Sequence, residues 1–545
     1  MKRKLPTHYF DVGVDASSDA HACHAKPEPT TEKTLPLWHA SARMALVTAV
    51  SVAAVGVIAT GMTGCADMSG IESKAVLRDA PSLGLPAVPV VPDSSTAVST
   101  QWWEGFGDEQ LNTLVAQALQ SNPSLRIAQA RLARAQAVTE VADAATLPQL
   151  GAQLDAPRQR YTANGQVPPS LAGAIRETGT AQLNASWELD FFGKNRAALD
   201  AALGSLHAAE ADAQAASVLL ASNVARSYFQ LVRLNEQAGV ARRTLAQREE
   251  TLKLVQDRVN AGLDTRLELR QSEGALPEAR LQLESLREQM ALSRNALGAL
   301  IGQPNLPASA VAAIPPAQAA IKNVAVTSTI PADLLGRRAD ILAARWRVEA
   351  SIKDVANTKT QFYPNVNLVA FAGFSSIGLN RLFDSGSQQL GVGPALRLPI
   401  FDAGRLRANL RGSAADLDAA VESYNAAVLD AVRDVADQLA SIQSIARQQI
   451  EQRAASQAAE GAYDIAVQRY KAGLGTYLNV LTVETNVLVQ RRTAVDLGAR
   501  ALDTQVALIR ALGGGYRSTT ELPPSATKNI AYHAREMAVL ASFSH

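Results

Sequence analysis

From Leu111 onward the apolar residues fall three and four apart (Leu111, Leu114, Val115, Ala118, Leu119), which is the spacing of one helix face. Asn122-Pro123 interrupts the pattern, and helix resumes from Leu125 to about residue 146 on a stripe of alanines. The period then changes from helical to strand-like. Two strands are predicted at about 148–161 and 181–192, and two more at about 364–375 and 389–401. The second strand of each pair is closed by a glycine and a base, Gly193-Lys194 and Gly404-Arg405, and each leads into a long helix. Those helices run to Asn260-Ala-Gly262-Leu263 and Lys471-Ala-Gly473-Leu474, where a turn opens a further helix. That helix closes at Ile301-Gly302 in one case and Leu512-Gly513 in the other. Landmarks recurring at a constant offset of about 210 residues mark two internal repeats, 101–315 and 316–515.

Lengths constrain the architecture. An unbroken helix over 194–261 or 405–472 spans on the order of 100 Å at 1.5 Å per residue. The two shorter helices of the first repeat, about 37 residues each, together match the long one and can stack end to end beside it. Alanine at many packing positions allows close approach, so the pattern predicts a palisade of helices rather than a thick-cored bundle. Strands of roughly 10–13 residues can cross a bilayer when tilted. Four strands cannot close a barrel, and open edges are costly in lipid. Several protomers are therefore expected to share one barrel, and three copies give twelve strands. The competing architecture is a soluble four-stranded sheet with helical arms.

The N-terminal region adds an address. Arg43 leads into the apolar run Met44 to Gly64, which ends in small residues and Cys65. Such a run reads as an export signal or membrane anchor. Met62-Thr-Gly-Cys65 resembles a bacterial lipobox, whose cysteine carries lipid and becomes the new N-terminus. Ala66 follows it, where aspartate would resemble an inner-membrane retention signal. Residues 1–64 are thus expected to be a signal sequence with a long n-region, although four histidines and Cys23 leave a metal-binding tail as the alternative. The Pro- and Ser-rich stretch within 65–100 reads as an extended linker, and 516–545 as a disordered tail.

Composition narrows the function. Lys and Arg number 52 against 51 Asp and Glu, so a nucleic-acid partner is not expected. Cys23 and Cys65 are the only cysteines, which leaves no disulfide framework in a chain cleaved before Cys65. Between Ser99 and Gly515 there is one histidine, His207, and no phosphate loop or HExxH. Gly373-Phe-Ser-Ser-Ile-Gly378 approaches a nucleophile elbow but lacks its spacing and a histidine partner. No enzyme, metal site or cofactor is expected, apart from covalent lipid on Cys65.

Two segments carry a family resemblance. Trp103-x-x-Phe106-x-Asp108-x-x-Leu111-x-x-Leu114-x-x-x-Ala118-Leu119-x-x-Asn122-Pro123 resembles the opening signature of TolC-like outer-membrane efflux proteins. Asp333-Leu-Leu-Gly-Arg337-Arg338-Ala-Asp340-Ile341, followed by Phe362-Tyr363-Pro364, resembles the start of their second repeat, with Ala339 where the family commonly has proline. The lipid cysteine is similar to that of the lipoprotein (NodT and OprM-like) branch. The resemblance implies a mainly α fold with a membrane β-barrel: a homotrimer with a twelve-stranded barrel above a periplasmic α-helical tunnel. It implies a passive outer-membrane channel served by a periplasmic adaptor and an inner-membrane resistance-nodulation-division pump. The same channel plan also serves protein secretion, and a lipid-anchored helical scaffold without a pore is the third reading. By resemblance, Gly262 and Gly473 are the turns at the periplasmic tip, and Tyr470 hydrogen-bonds a carboxylate at Glu268, flanked by Arg469 and Lys471. The pore-facing apolar ring maps to Leu478. Asn479 and Thr482 replace the family's pore-narrowing aspartates, which implies weak cation selectivity.

Overall fold

The computed structural model describes residues 68–78, 98–166, 168–306 and 338–516. Cys65, the apolar run before it, most of the linker, the junction between the two repeats and the C-terminal tail lie outside the described residues. After a short 3-10 turn at Trp102–Phe106 come α1 (Glu109–Ser121) and α2 (Pro123–Ala144), then β1 (Gln149–Asp155), β2 (Arg158–Arg160) and β3 (Ile175–Glu188). Two helices follow, α3 (Lys194–Asn260) and α4 (Arg266–Leu300). The second half supplies α5 (Ala339–Thr360), β4 (Asn365–Ile377), β5 (Gln388–Arg397), α6 (Arg405–Lys471) and α7 (Tyr477–Ala511). The long helices α3 and α6 have 67 residues each, and α4 and α7 have 35 each. The same plan therefore occurs twice.

Three of the predicted strands depart from the bounds that alternation gives them. The strand expected over 148–161 is split between β1 and β2 at Ala156-Pro157, because proline has no N–H for the ladder. β3 starts at Ile175 and stops at Glu188, not 192. The chain turns there because the Asp190 carboxylate accepts from the Arg196 backbone N–H at 2.9 Å. β5 ends at Arg397, and Asp402 performs the same task for α6, accepting from Gly404 and Leu406 N–H at 3.0 and 2.7 Å. The short carboxylate loops need residues that pattern alone assigns to strand.

The strands pair antiparallel in the order β1-β3-β4-β5, with β2 extending the pairing along β3. Register places Leu150, Ala185, Ala370 and Val392 across one face, and Ala152, Leu183, Ala372 and Leu390 beside them. The opposite face carries Gln153, Gln182, Gly373 and Gln389 in one row and Asp155, Thr180 and Ser375 in the next. The Gln389 side-chain amide donates across Gly373 to the side-chain Oε1 of Gln182 at 2.8 Å. One face is thus apolar and the other mostly polar, as period-2 alternation requires. Both edges, β1 and β5, have a single neighbour among the described residues.

The helices form a layer four across. Alongside the strands it runs α2, α3, α5, α6, and farther from them α4, α3, α7, α6. The long helices pass through both tiers, whereas pairs of short ones divide the length. Where the tiers meet, a core gathers Trp103, Phe106, Leu111, Val115, Val224, Phe229, Leu297 and Val506. Asp108 organises its edge, capping α1 through Gln110 and Leu111 N–H while accepting from the Tyr228 phenol at 2.6 Å. Asn122 caps α2 at Ser124 N–H and donates to the Leu300 carbonyl at 2.7 Å, fixing the end of α4. Residues 68–78 lie along α6. Ile71 is buried beside Phe362, Leu410 and Ala414; Asp418 accepts from the Ser73 hydroxyl and from Lys74 and Ala75 N–H; Asn425 bonds Arg78 N–H and the Val76 carbonyl.

Replacing Tyr228 with Phe removes its bond to the Asp108 carboxylate from a fully buried site. Its expected cost is about 1.5–3 kcal/mol, visible as a lower midpoint in thermal unfolding followed by circular dichroism. An unchanged midpoint would show that Asp108 holds this core without Tyr228.

Candidate functional site: a buried lock between two helical turns

The helix pairs α3–α4 and α6–α7 each reverse through a five-residue turn of nearly matching sequence, Ala261-Gly-Leu-Asp-Thr265 and Ala472-Gly-Leu-Gly-Thr476. Gly262 and Gly473 sit at φ +72° and +77°, a left-handed conformation that glycine adopts without a side-chain clash. Leu263 N–H returns to the Arg258 carbonyl at 2.8 Å, and Leu474 N–H to the Arg469 carbonyl at 2.8 Å. Both helices therefore end by the same backbone device.

From three residues before the glycine to two after it the copies differ at three places, Asn260 against Lys471 among them, and the other two differences meet. Two residues past the glycine stands Asp264 in the first turn and Gly475 in the second; three residues before it stands Val259 in the first and Tyr470 in the second. The Tyr470 phenol donates to the Asp264 carboxylate. Arg258 grips the same carboxylate with two nitrogens, Nε to Oδ2 at 2.9 Å and Nη2 to Oδ1 at 3.3 Å. Its guanidinium carbon also lies 4.7 Å from the Tyr470 ring centroid, a cation–π contact. Tyr470 is only 1% exposed and packs with Val255, Tyr477 and Val480. Three side chains from α3, its turn and α6 thus tie the two halves together.

Here the partner expected for Tyr470 is corrected. Glu268 makes no bond to the phenol; it closes a capping box on α4, accepting from Thr265 N–H at 3.0 Å and from the Thr265 hydroxyl, while Leu267 N–H donates to Thr265 Oγ1 at 3.1 Å. Thr265-x-x-Glu268 is the sequence mark of that box, and a carboxylate satisfying a helix start is not free to reach α6. Asp264 lies closer to the turn and takes the role. Comparing the two turns residue by residue exposes Asp264, because its counterpart is glycine. Arg258 could be found only through the fold, since its counterpart Arg469 is also arginine. Lacking a carboxylate in its own turn, Arg469 donates to the Leu474 carbonyl at 3.2 Å. Lys471 is exposed.

Leu478, Asn479 and Thr482 occupy one exposed stripe of α7, with Leu478 58% exposed, opposite the buried Tyr477, Val480 and Glu484. Thr482 spends its hydroxyl on the Leu478 carbonyl at 2.8 Å. Among the described residues no cluster of His, Cys, Asp and Glu could hold a metal ion, and no helix is long and apolar enough to cross a membrane.

The comparisons fit this geometry. The model of the outer membrane efflux protein family matches residues 114–303 and 330–514. The chain belongs to that family, whose members are passive outer-membrane channels rather than enzymes. Among its relatives are the pyoverdine export outer membrane protein OpmQ of Pseudomonas aeruginosa, 35% identical over 77% of this chain and 88% of that protein, and the multidrug resistance outer membrane protein MdtQ of Escherichia coli, 32% identical over 84% and 96%. Its fold resembles the outer membrane protein VceC of Vibrio cholerae, with a TM-score of 0.71 at 37% identity over 77% of this chain and all of that one. It also resembles the outer-membrane channel OprN, with a TM-score of 0.73 at 28% identity over 79% of this chain and 97% of that one.

The lock titrates at two limits. Burial pushes the Asp264 carboxyl up, but hydrogen bonds from Arg258 and Tyr470 outweigh it and hold the group below its ordinary 3.8. Burial first, then the bond to Asp264, raises the Tyr470 phenol above its ordinary 10.0. A depressed acid stabilises the fold above its unfolded value and loses that contribution as pH falls through the folded one. A phenol with a raised value stabilises below 10.0 and loses the contribution as pH rises beyond it. The lock should therefore hold between these limits and weaken only outside them. Hydrogen exchange of the amides around Gly262 and Gly473 checks this: protection should be flat from pH 5 to 9 after correction for the intrinsic rate, and a drop within that window would mean that other groups hold the turns.

Proposed function

We propose that this protein is the outer-membrane channel of a tripartite export system, passively conducting small molecules from an inner-membrane pump and its periplasmic adaptor to the exterior. The observation that carries this is the open sheet with one apolar face and two unpaired edges. In hydrocarbon those edges must be paired, so β5 of one protomer meets β1 of the next, and three protomers close twelve strands around a lumen lined by Gln153, Gln182 and Gln389. Aromatic side chains flank the apolar band: Phe374 with Phe383 at one end, and Trp187, Phe191, Phe401 and the Phe192–Tyr363 stack at the other. That is the arrangement expected at two membrane interfaces. The exposed edges of the helix layer, α6 on one side and α2 with α4 on the other, then join neighbours into a helical tunnel below the barrel.

The two repeats, 101–315 and 316–515, each give half of this assembly. A signal sequence over 1–64 and a lipid on Cys65 anchor the mature chain. Mass spectrometry of the N-terminal peptide from membranes should find acylated Cys65, and recovery of an unmodified Cys65 within a longer chain would remove the anchor. Relatives exporting drugs and pyoverdine support small-molecule cargo over secreted proteins.

The turns at Gly262 and Gly473 form the periplasmic tip, and the lock among Arg258, Asp264 and Tyr470 keeps it closed. In planar bilayers the wild type should conduct poorly, and Tyr470→Phe and Asp264→Asn should both raise unitary conductance. Glu268→Ala, which loosens only a helix cap, should stay near wild type. If Glu268→Ala opens the channel and Asp264→Asn does not, the lock is wrongly assigned. Leu478 lines the narrowed bore, and Asn479 and Thr482 put no charge there. The open variants should show weak cation preference and little block by divalent cations; strong preference abolished by changes at these residues would contradict that lining.

A further inference from the structure

Deeper along the same helices lies a second polar tie, and its burial sets it apart. Arg248 of α3 donates from Nε to Glu484 of α7 at 3.2 Å, and the two side chains are 11% and 8% exposed. The Nη1 of Arg248 reaches α4 as well, at the Ala275 carbonyl (2.9 Å) and the Glu278 carboxylate (3.2 Å). Pro277 sits in that turn of α4, where it withholds a backbone donor and weakens the ladder. Tyr477 and Ser272 face one another nearby, both buried. The tie is also unique to this seam. In the other hairpin the position of Arg248 is held by Ala459, and that of Glu484 by Glu273, which pairs with Arg270 on its own helix.

Farther from the tip, α3 and α7 are joined by Arg233 with Asp496 at 2.9 Å and Arg226 with Asp503 at 2.5 Å, seven residues apart on both helices. These pairs are much more open to solvent and exchange readily with water. Arg248–Glu484 does not, because separation would strand a buried carboxylate. Arg248 also holds α4 and α7 together from one point on α3. A contact at the junction of three helices changes least when they rotate about it.

We propose that Arg248 and Glu484 form the pivot of the gate: the ends of α3, α4, α6 and α7 beyond it move when the tip opens, and the remainder keeps its register. The inference rests on the tip being the gate. About 20 Å of helix separates Arg248 from Gly262, so a small rotation at the pivot becomes a wide displacement at the tip. Arg248 and Glu484 are positioning residues that set how far the unlocked ends travel, not a second latch.

The test is single-channel conductance of the purified full-length protein with Glu484→Gln, a change that keeps shape and one hydrogen bond, alone and with Tyr470→Phe. Alone it should leave conductance at the low wild-type level, since the tip lock is intact. With Tyr470→Phe it should raise conductance above that of Tyr470→Phe and broaden the open level. Arg248→Lys with Tyr470→Phe should fall between, which separates a lost pivot from misfolding. Equal conductance with and without Glu484→Gln in the Tyr470→Phe protein would overturn the pivot and leave the lock standing. Opening by Glu484→Gln alone would also overturn it, in favour of a second latch. If Tyr470→Phe itself fails to open, the lock falls and the pivot with it.

Discussion

A strand laid in hydrocarbon must find partners for both of its edges, because lipid offers no donor or acceptor. The sheet of this chain has too few strands to satisfy that alone, and the rest of the molecule can be understood as accommodating the fact. An apolar face on one side and amides on the other suit strands that enclose water rather than pack a core. Closure by neighbours then fixes what the helices do. In the proposed trimer they continue the ring downward, which accounts for their lying side by side in one layer instead of folding back over the sheet. A ring of helices needs neighbours of equal length, and one 67-residue helix beside two shorter ones in sequence meets that need.

Duplication gives the plan, and departure from duplication gives the tie between the two turns. Two copies of one hairpin would meet as equals and have no reason to prefer contact over separation. Tyrosine in one copy where the other has Val259, and aspartate in the other where the first has Gly475, make a donor and an acceptor that meet across the two copies. An arginine stands at this position in both copies, Arg258 and Arg469, but only where a carboxylate joins the turn is it part of a tie.

Much of this was legible in the chain. The long helices end two residues before their turn glycines because helix propagation is cooperative and Gly262 and Gly473 stop it locally. The strands were found but misplaced by up to six residues at the start of β3, since alternation does not say where a ladder partner ends. Tyr470 was legible as half of a bond, but its partner was not. Asp264 and Glu268 lie two and six residues past the glycine, and what separates them is that Glu268 is already engaged with Thr265. Competition of that kind is local geometry, which residue spacing leaves degenerate. The seam between α3 and α7 was less legible still. Arg226, Arg233 and Arg248 find acidic partners more than two hundred residues away in the chain, which no local spacing reveals.

The segment along α6 is held in an unusual way. Asp418 and Asn425 address its backbone and, among its side chains, only the Ser73 hydroxyl, while Ile71 and Met68 are held by packing. Such a grip is nearly blind to which residues occupy it but strict about how many there are, since each added or missing residue shifts the next amide past its acceptor. Drift within this stretch should be free in composition and frozen in length, the signature of a ruler more than of a motif.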